Sequence, residues 1–596
     1  MKIVLVPNPN VAFSQGQTVG NRYVPLGLLS VATVLKHAGF DVRIVDINRD
    51  SLCLDARRSA EGISGEDPDI IGFSTRVDEY PRTLQIAEEC KRKRPDSLIL
   101  FGGPQASATD VATLTAFPFV DLIVRGECEE AIIPLITAIA NRRILKDVPG
   151  ISFLDGGKIV RTPDTHPVTD LDELPVPDYH LVPQAQEFDT MPIEVGRGCP
   201  YGCTFCSTKD FFQRRFRFYD TDRLLRLLSA IHDEFGIHRF TFQHDNATVS
   251  KKKMLELCSG INKLTFDISW SCSARADLLD GKLVERMAEA GCKDVFIGIE
   301  TGSPRIQSLI GKKLDVEKVI PVAELLRQHG IEFTASFMMG FPEETFEDLA
   351  MTLRLMTEVR FKGNCKEKVQ LHMVSAYPGT KLYEQTKAGL CFDGYYSDAA
   401  VSLLTKDMRN LITDHPEIFA SFQYIDNGIL DRKFLLKVNF FFQTFMYYFP
   451  YSSLSMMQLP GLDYPRGVME FLSRSKYAGE TWLLSSEKTR TATGFQLLND
   501  YFDTLGDEKW VLQEVLTYEK TAGDLRYAVV KDESPVIREF ACDVEGWISK
   551  VVDGEIPPIS DLMNRKENSV VFFREDGKVK TVVLPEEIAE YCKSHR

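Results

Sequence analysis

Short apolar runs alternate with helically spaced ones through roughly the first 150 positions of the chain. "KIVLVP" opens as a strand. "PLGLLSVATVLKHAG" (Pro25 to Gly39) has helical spacing and closes on a glycine stop. "DVRIVDI", "DIIGFS", "SLILFGG" and "VDLIVRGE" then read as strands, separated by helical stretches such as "RTLQIAEECKRK" and followed by one that begins "CEEAIIPLITAIA". Strands alternating with helices at this spacing predict an α/β domain over 1–150, a doubly wound, Rossmann-like parallel sheet. Ligands bind such sheets at the carboxyl ends of the strands. Three strands here end in loops suited to that: "GFSTR" (Gly72 to Arg76), "FGGPQAS" (Phe101 to Ser107) and "RGECEE" (Arg125 to Glu130).

Residues 151–189 carry Pro163, Pro167, Pro175, Pro177 and Pro183 and read as a linker. A second alternation fills 190–388, with strands at "MPIEVGR", "RFTFQHD", "ISWSCSAR", "DVFIGIE", "EFTASFMMG" and "KVQLHMVSA". Six such units predict a partial (β/α)6 barrel with its site at the carboxyl ends of the strands. Residues 389–596 read as a mainly helical domain that closes the substrate site. The aromatics from Phe440 to Tyr451 are expected in its core, and "SVVFFREDGKVKTVVL" forms a terminal β-hairpin turning at Asp576–Gly577.

At 596 residues the chain is too long for one core. Its 70 Lys and Arg against 85 Asp and Glu give a net charge of −15. Such a chain has no bulk attraction for nucleic acid or an anionic membrane, and neither is expected as a partner. The last stretch, 561–596, balances seven basic against seven acidic residues and is no basic RNA-binding appendage. The N-terminal apolar run is too short for a signal peptide, and no window suits a membrane span, so a cytoplasmic location is expected. Six histidines, including His180, His329 and His415, stand singly and make no metal motif.

Thirteen cysteines, an odd number, argue against a disulfide framework. Most stand alone, as buried apolar residues do. Three do not: Cys199, Cys203 and Cys206 follow the first barrel strand directly. Three clustered thiolates suit a 4Fe–4S cluster with one iron left for a non-protein ligand. A zinc knuckle with a distant fourth ligand is the alternative on spacing alone.

"CPYGCTFC" resembles the signature of the radical S-adenosylmethionine (SAM) family, including the aromatic Phe205 before the last cysteine. Supporting segments stand in the family's order. "FQHDNATV" matches the second-strand segment, with His244 where Asp is commoner and Asp245 beside it. "CSARAD" matches the third, "FIGIETGS" the fourth, "MMGFPEET" the fifth and "SAYPGT" the end of the sixth. The resemblance implies SAM contacts at Phe205, Asp245, Arg275 (the cofactor carboxylate), Glu300 (ribose or methionine), Ser303 and Gly340 (the adenine side). It also implies the reaction. The cofactor's amino and carboxylate groups bind the open iron, and the reduced cluster cleaves a C–S bond. The resulting 5′-deoxyadenosyl radical takes hydrogen from an unactivated carbon.

The first domain resembles the cobalamin-binding domain often fused ahead of this barrel, through "YVPLGLLSVATVLKHAGFDVRIVD", "PDIIGFST", "LILFGGPQAS" and "VDLIVRGECEEAI". Cobalamin contacts are implied at Pro25, Leu26, Gly27, Ser74, Thr75, Gly102, Gly103, Pro104, Gln105, Gly126 and Glu127. Neither Gly102 nor Gly103 has a Cβ to keep a ligand away. The Asp-x-His-x-x-Gly that supplies a cobalt-ligating histidine in many such domains is absent, and His37 lies inside the first helix. Arg76 is the candidate for the lower face of cobalt; its alternative is a surface loop residue paired with Asp78. Together the two domains imply a cobalamin-dependent radical SAM methyltransferase acting through methylcobalamin. Alternatives are a cyclase or rearranging enzyme with the same cofactors, and a cobalamin sensor with a vestigial barrel, which the intact cysteine triad disfavours. A small-molecule or peptide substrate and an electron donor such as flavodoxin or ferredoxin are the partners implied.

Overall fold

The computed structural model describes all residues except 15–16, 363–367, 395–403, 459–462, 476–486, 506–508, 528–535, 553–558, 564, 576–577, 586–588 and 590–596. Seven strands form the first sheet: β1 (Lys2–Val6), β2 (Asp41–Ile44), β3 (Ile70–Ser74), β4 (Leu98–Gly102), β5 (Leu122–Val124), β6 (Ile151–Asp155) and β7 (Lys158–Arg161). Their order is β2-β1-β3-β4-β5-β6-β7, parallel through β5 and antiparallel at the last two. The sheet therefore runs past residue 150. The first residues of the expected linker form a hairpin on its edge, because Asp155–Gly156–Gly157 turns the chain with both glycines at positive φ. Helices α1 (Leu26–His37) and α2 (Glu129–Ala140) cover one face.

The barrel sheet is parallel and strictly sequential: β8 (Met191–Glu194), β11 (Arg239–Gln243), β12 (Ser269–Ala274), β13 (Cys292–Glu300), β14 (Glu332–Met339) and β15 (Lys368–Met373). Between β8 and β11 lies a small antiparallel ladder of β9 (Gly196–Arg197) and β10 (Arg217–Phe218). The three-cysteine segment is the loop of this hairpin.

After the barrel, α3 (Arg432–Tyr448) lies along β15. Asn439 Nδ2 and Gln443 Nε2 donate to the Leu371 carbonyl at 2.7 and 2.8 Å, and Tyr447 Oη to Val369 at 3.1 Å. A polar stripe on a helix thus satisfies edge carbonyls of the last barrel strand and covers an edge that would otherwise invite pairing. The opposite side of α3 buries Phe441, Phe442 and Phe445, so these aromatics are core. Residues 404–422 reach back to the first domain, where Phe419 packs on Tyr80 with ring centroids 6.0 Å apart. A three-stranded antiparallel sheet of β16 (Val536–Cys542), β17 (Arg565–Glu575) and β18 (Lys578–Val583) follows. β17 and β18 are the expected hairpin; its Asp576–Gly577 turn lies outside the described residues.

Candidate active site

Two contiguous cavities mark the carboxyl ends of both sheets. The first, about 230 Å³, sinks into the first domain between the sheet and the two helices. Leu5, Leu28, Leu35, Ile70, Ile132 and Ile136 give it apolar walls. Gly102, Gly103, Pro104 and Gly126 stand at its rim. A Cβ on Gly103, at φ 108°, would meet the Thr75 carbonyl oxygen at 2.6 Å, so only glycine lets the chain turn this close to β3. The second cavity, about 810 Å³, lies between the domains. Tyr23, Pro25, Leu26, Gly27, Ser74 and Arg76 line it from the first domain; Gly196, Arg197, Thr241, Gln243, His244 and Asp245 line it from the barrel. Ser74, Gly27 and Arg197 border both cavities. An apolar well under a glycine rim, opening onto a wide polar chamber, fits the nucleotide tail and corrin ring of cobalamin.

Not every candidate faces these spaces. Thr75 is fully buried; its Oγ1 donates to Gly102 O at 2.9 Å and accepts from Ala106 N at 3.0 Å, which ties β3 to the glycine loop. Gln105 turns the other way and donates to the Ile418 carbonyl at 2.8 Å, so it anchors the C-terminal region instead of lining a cavity. Arg76 lines the chamber, and its guanidinium also reaches Asp78 at 3.3 Å, the partner its alternative reading names. The histidine at the chamber wall, His244, comes from the barrel; His37 lines neither cavity.

The cysteine loop is tied down at several points. Asp245 accepts from Gly198 N at 2.7 Å and Thr208 Oγ1 at 3.0 Å, on either side of the triad. Its carboxylate is thereby committed to positioning the loop, and burial raises its pKa against these bonds. Thr204 N donates to Ile310 O at 2.8 Å and Thr204 O accepts from Leu382 N at 2.9 Å. Phe205 packs on Phe341, just after β14, with centroids 6.3 Å apart. Burial raises the Cys199 thiol, and that of Cys203 to about 11, while the Arg275 cation draws both down and Lys312 draws down Cys203. Neighbouring cations are what a thiolate ligand set needs. Among the described residues no three His, Cys, Asp or Glu side chains converge as they would round a single ion. The thiolates of a cubane each hold a different iron, so the donor chemistry fits a 4Fe–4S cluster.

Arg275 forks onto Asp277, with nitrogen to oxygen distances of 3.0 and 2.9 Å, and its guanidinium stacks 4.0 Å from the Tyr201 ring centroid inside the cysteine loop. Glu300 ends β13 at a bulge with φ 71°, a left-handed conformation rare for a residue with a Cβ. Its carboxylate takes a 2.6 Å hydrogen bond from the buried Lys312 ammonium. Ser303 caps the helix beginning at Pro304 and donates to Asp348 at 2.5 Å, so its hydroxyl is used inside the protein. Gly340, at φ 86°, turns the chain after β14, and its N–H donates to Glu344 at 2.5 Å. Burial pushes the Glu344 carboxyl up to about 8, so it is protonated at neutral pH.

Sequence reasoning missed Lys312 and a buried ionic network. Arg197, two residues before Cys199, donates to Glu194 at 2.9 Å and to Glu129 at 2.7 Å. Arg217 forks onto Glu127 at 2.9 and 2.6 Å. Burial opposes ionisation of Glu129, and the Arg197 charge still holds it below the usual carboxylate range. Glu127, a cobalamin candidate, thus links the first domain to the cysteine hairpin while also bordering the apolar cavity.

A family model for the radical SAM superfamily matches residues 193–356, and one for the B12 binding domain matches residues 16–135. An uncharacterized methyltransferase of Pyrococcus horikoshii is 31% identical over 420 residues, covering 70% of this chain and 87% of that protein. The anaerobic magnesium-protoporphyrin IX monomethyl ester cyclase of Rubrivivax gelatinosus is 30% identical over 369 residues, covering 59% of this chain and 65% of that protein. Among solved structures, the cobalamin-dependent SAM radical enzyme OxsB, with aqua-cobalamin and SAM bound, superposes with a TM-score of 0.62. It has 18% identity over 95% of this chain and 84% of that one, and shows the same fold.

Proposed function

The chain belongs to the cobalamin-binding radical SAM enzymes, and we propose that within this family it is a methyltransferase that modifies an unactivated carbon. Its cofactors are a 4Fe–4S cluster, SAM and cobalamin. When bound, these supply a carbon-centred radical and a methyl carrier. One observation carries the reading: the interdomain chamber is walled by Ser74, Leu26 and Arg76 on one side and by the base of the cysteine hairpin on the other. A substrate there touches both chemistries without leaving a single space.

The residues divide the work. Cys199, Cys203 and Cys206 would hold three irons. Asp245 and the Thr204 backbone bonds fix the loop that would carry the cluster. Arg275 and Lys312 keep positive charge beside the thiolates, and the Glu300–Lys312 pair presents a carboxylate at the end of β13. Gly102 and Gly103 admit the corrin tail. Arg76 places a cation on the chamber wall and would be the candidate for the lower face of cobalt. The Arg197–Glu129 and Arg217–Glu127 pairs hold the two cofactor sites in fixed register; misplacement by about 1 Å costs on the order of a hundredfold in rate. A flavodoxin or ferredoxin would deliver the electron.

The match to a magnesium-protoporphyrin cyclase supports a second reading, cyclisation with the same cofactors. Product counting separates the two. A methyltransferase yields S-adenosylhomocysteine and 5′-deoxyadenosine, about one of each per modified substrate, whereas a cyclase yields 5′-deoxyadenosine alone.

A further inference from the structure

We infer that the barrel lumen is a substrate subsite for a neutral, flat ring bearing hydrogen-bonding groups on its edge; the inference rests on the enzymatic reading above and supplies its substrate class. The strand register brings Ser273, Phe296 and Thr334 into one row across β12, β13 and β14. Gly298, Ser336 and Gln370 form the row above, and Thr241 and Ser271 stand below. The alternate residues of the same strands, such as Val295, Ile297 and Ala335, are fully buried against the outer helices. These rows therefore face inward.

In a closed barrel the inward rows are branched aliphatics that fill the interior. Here they are mostly hydroxyls, an amide and a glycine, too small to fill it, with Lys368 pairing with Asp294 and Glu332 at the ends of the two lower rows. The large apolar side chain among them is Phe296, and it stays 40% exposed in the midst of a parallel sheet. An aromatic face left open between hydroxyls is a stacking platform with hydrogen-bonding partners at its rim. The recess has a roof: a Cβ on Gly298 would meet Glu300 Oε1 at 2.4 Å and Lys312 Nζ at 3.0 Å. A ring lying on Phe296 thus sits directly beneath the Glu300–Lys312 pair. The recess opens upward into the interdomain chamber, which Thr241, Gln243 and Ser273 also line.

Charge and size set the ligand class. The formal charges around the recess are paired within the protein, Lys312 with Glu300 at 2.6 Å and Lys368 with Asp294 and Glu332 at 3.5 Å each. An ionised ring would face no free counter-charge there. The chamber holds about 810 Å³. That is the scale of one ligand, about 300–1,000 Å³, and the corrin must share it, which favours a small ring over a second macrocycle or a sterol-sized lipid.

The test uses the full chain loaded with cobalamin, SAM and an oxidised cluster, so that nothing turns over. Saturation-transfer NMR is run with indole-3-carboxamide and nicotinamide as probes, and with chlorophyllide a and diplopterol as competitors. The two ring amides should bind and resist displacement. Phe296→Ala should weaken them at least tenfold, as should the double change Ser273→Val with Thr334→Val. Cobalamin and iron contents should stay unchanged. Phe296→Leu keeps apolar bulk without a flat face and should weaken binding similarly, which guards against a folding defect in the alanine variant. Failure of both amides to bind, binding indifferent to all these changes, or displacement by chlorophyllide a or diplopterol would overturn the inference. Because binding is read without turnover, failure of methyl transfer leaves this result intact. Loss of ring binding, in turn, leaves the product ratio of the function test intact.

Discussion

The two parallel sheets solve the same problem with opposite patterns. Strands of the first domain are apolar on both faces: "IIGFS" in β3 and "LILFG" in β4 are buried almost end to end, because helices cover both sides. Barrel strands alternate: "SWSCSA" in β12 buries Trp270, Cys272 and Ala274 and leaves three serines half-buried. The first domain makes room for its ligand by deleting side chains at the strand ends, through Gly102 and Gly103. The barrel makes room inside itself, through small polar residues such as Ser273, Thr334 and Ser336 on its inward rows. The first solution gives an apolar well for a tail that only has to be held. The second gives a polar recess where chemistry can be directed.

Removing the cysteine triad should break the comparison most completely on one side. Replacing Cys199, Cys203 and Cys206 together with Ala should eliminate bound iron after anaerobic reconstitution while leaving cobalamin bound. Iron analysis and the corrin absorption spectrum check this, and full iron retention would refute the ligand assignment. The joint between the regions comes next. Arg197→Met leaves Glu129 and Glu194 without their cation, and breaking a buried pair costs about 3–5 kcal/mol. Denaturant melts should show that loss, with cobalamin affinity and cluster content both reduced, since Arg197 touches both sides.

Gly103→Val acts on the first domain alone. The added carbons meet Thr75 backbone at 2.6 Å on a residue at φ 108°. Cobalamin affinity should fall at least tenfold, about 1.4 kcal/mol, with the cluster intact; equilibrium dialysis measures it. The remaining effect is a pH dependence in the barrel wall. Burial lowers the His244 imidazole from 6.5 to about 4. The unfolded chain therefore binds one more proton between these values, and stability falls as pH falls from 6.5 toward 4. The full contribution is about 3 kcal/mol. His244→Gln should flatten the drop in denaturant midpoint between pH 7 and pH 4.5.

Much of this architecture was legible in order and little of it in detail. The alternation of apolar runs gives both sheets, and local spacing gives the cysteine loop, because both signals lie within a few residues. The hairpin at 151–161 was legible too: Asp155–Gly156–Gly157 sits between two short apolar runs, a turn signal obscured by the prolines that follow. The Glu300–Lys312 pair was not legible, because the helix starting at Pro304 folds twelve residues back before the two side chains meet. The Arg197 network joins residues 68 positions apart, and no local pattern announces it. Motif matching reads contact, and the fold adds support. Thr75, Gln105, Asp245 and Ser303 sit in ligand-binding motifs, yet their polar atoms hold the protein's own loops.

The central claim is that both cofactor domains serve one chamber and one methyl transfer. The most direct measurement supplies the reduced, cobalamin-loaded protein with methyl-deuterated SAM and follows the label by mass spectrometry, in the parent chain and in Gly103→Val. The account predicts deuterated methyl in the corrinoid fraction of the parent with an equal amount of S-adenosylhomocysteine, and loss of both in the variant. Formation of 5′-deoxyadenosine by the parent with no S-adenosylhomocysteine and no label in the corrinoid fraction would contradict it and favour cyclisation.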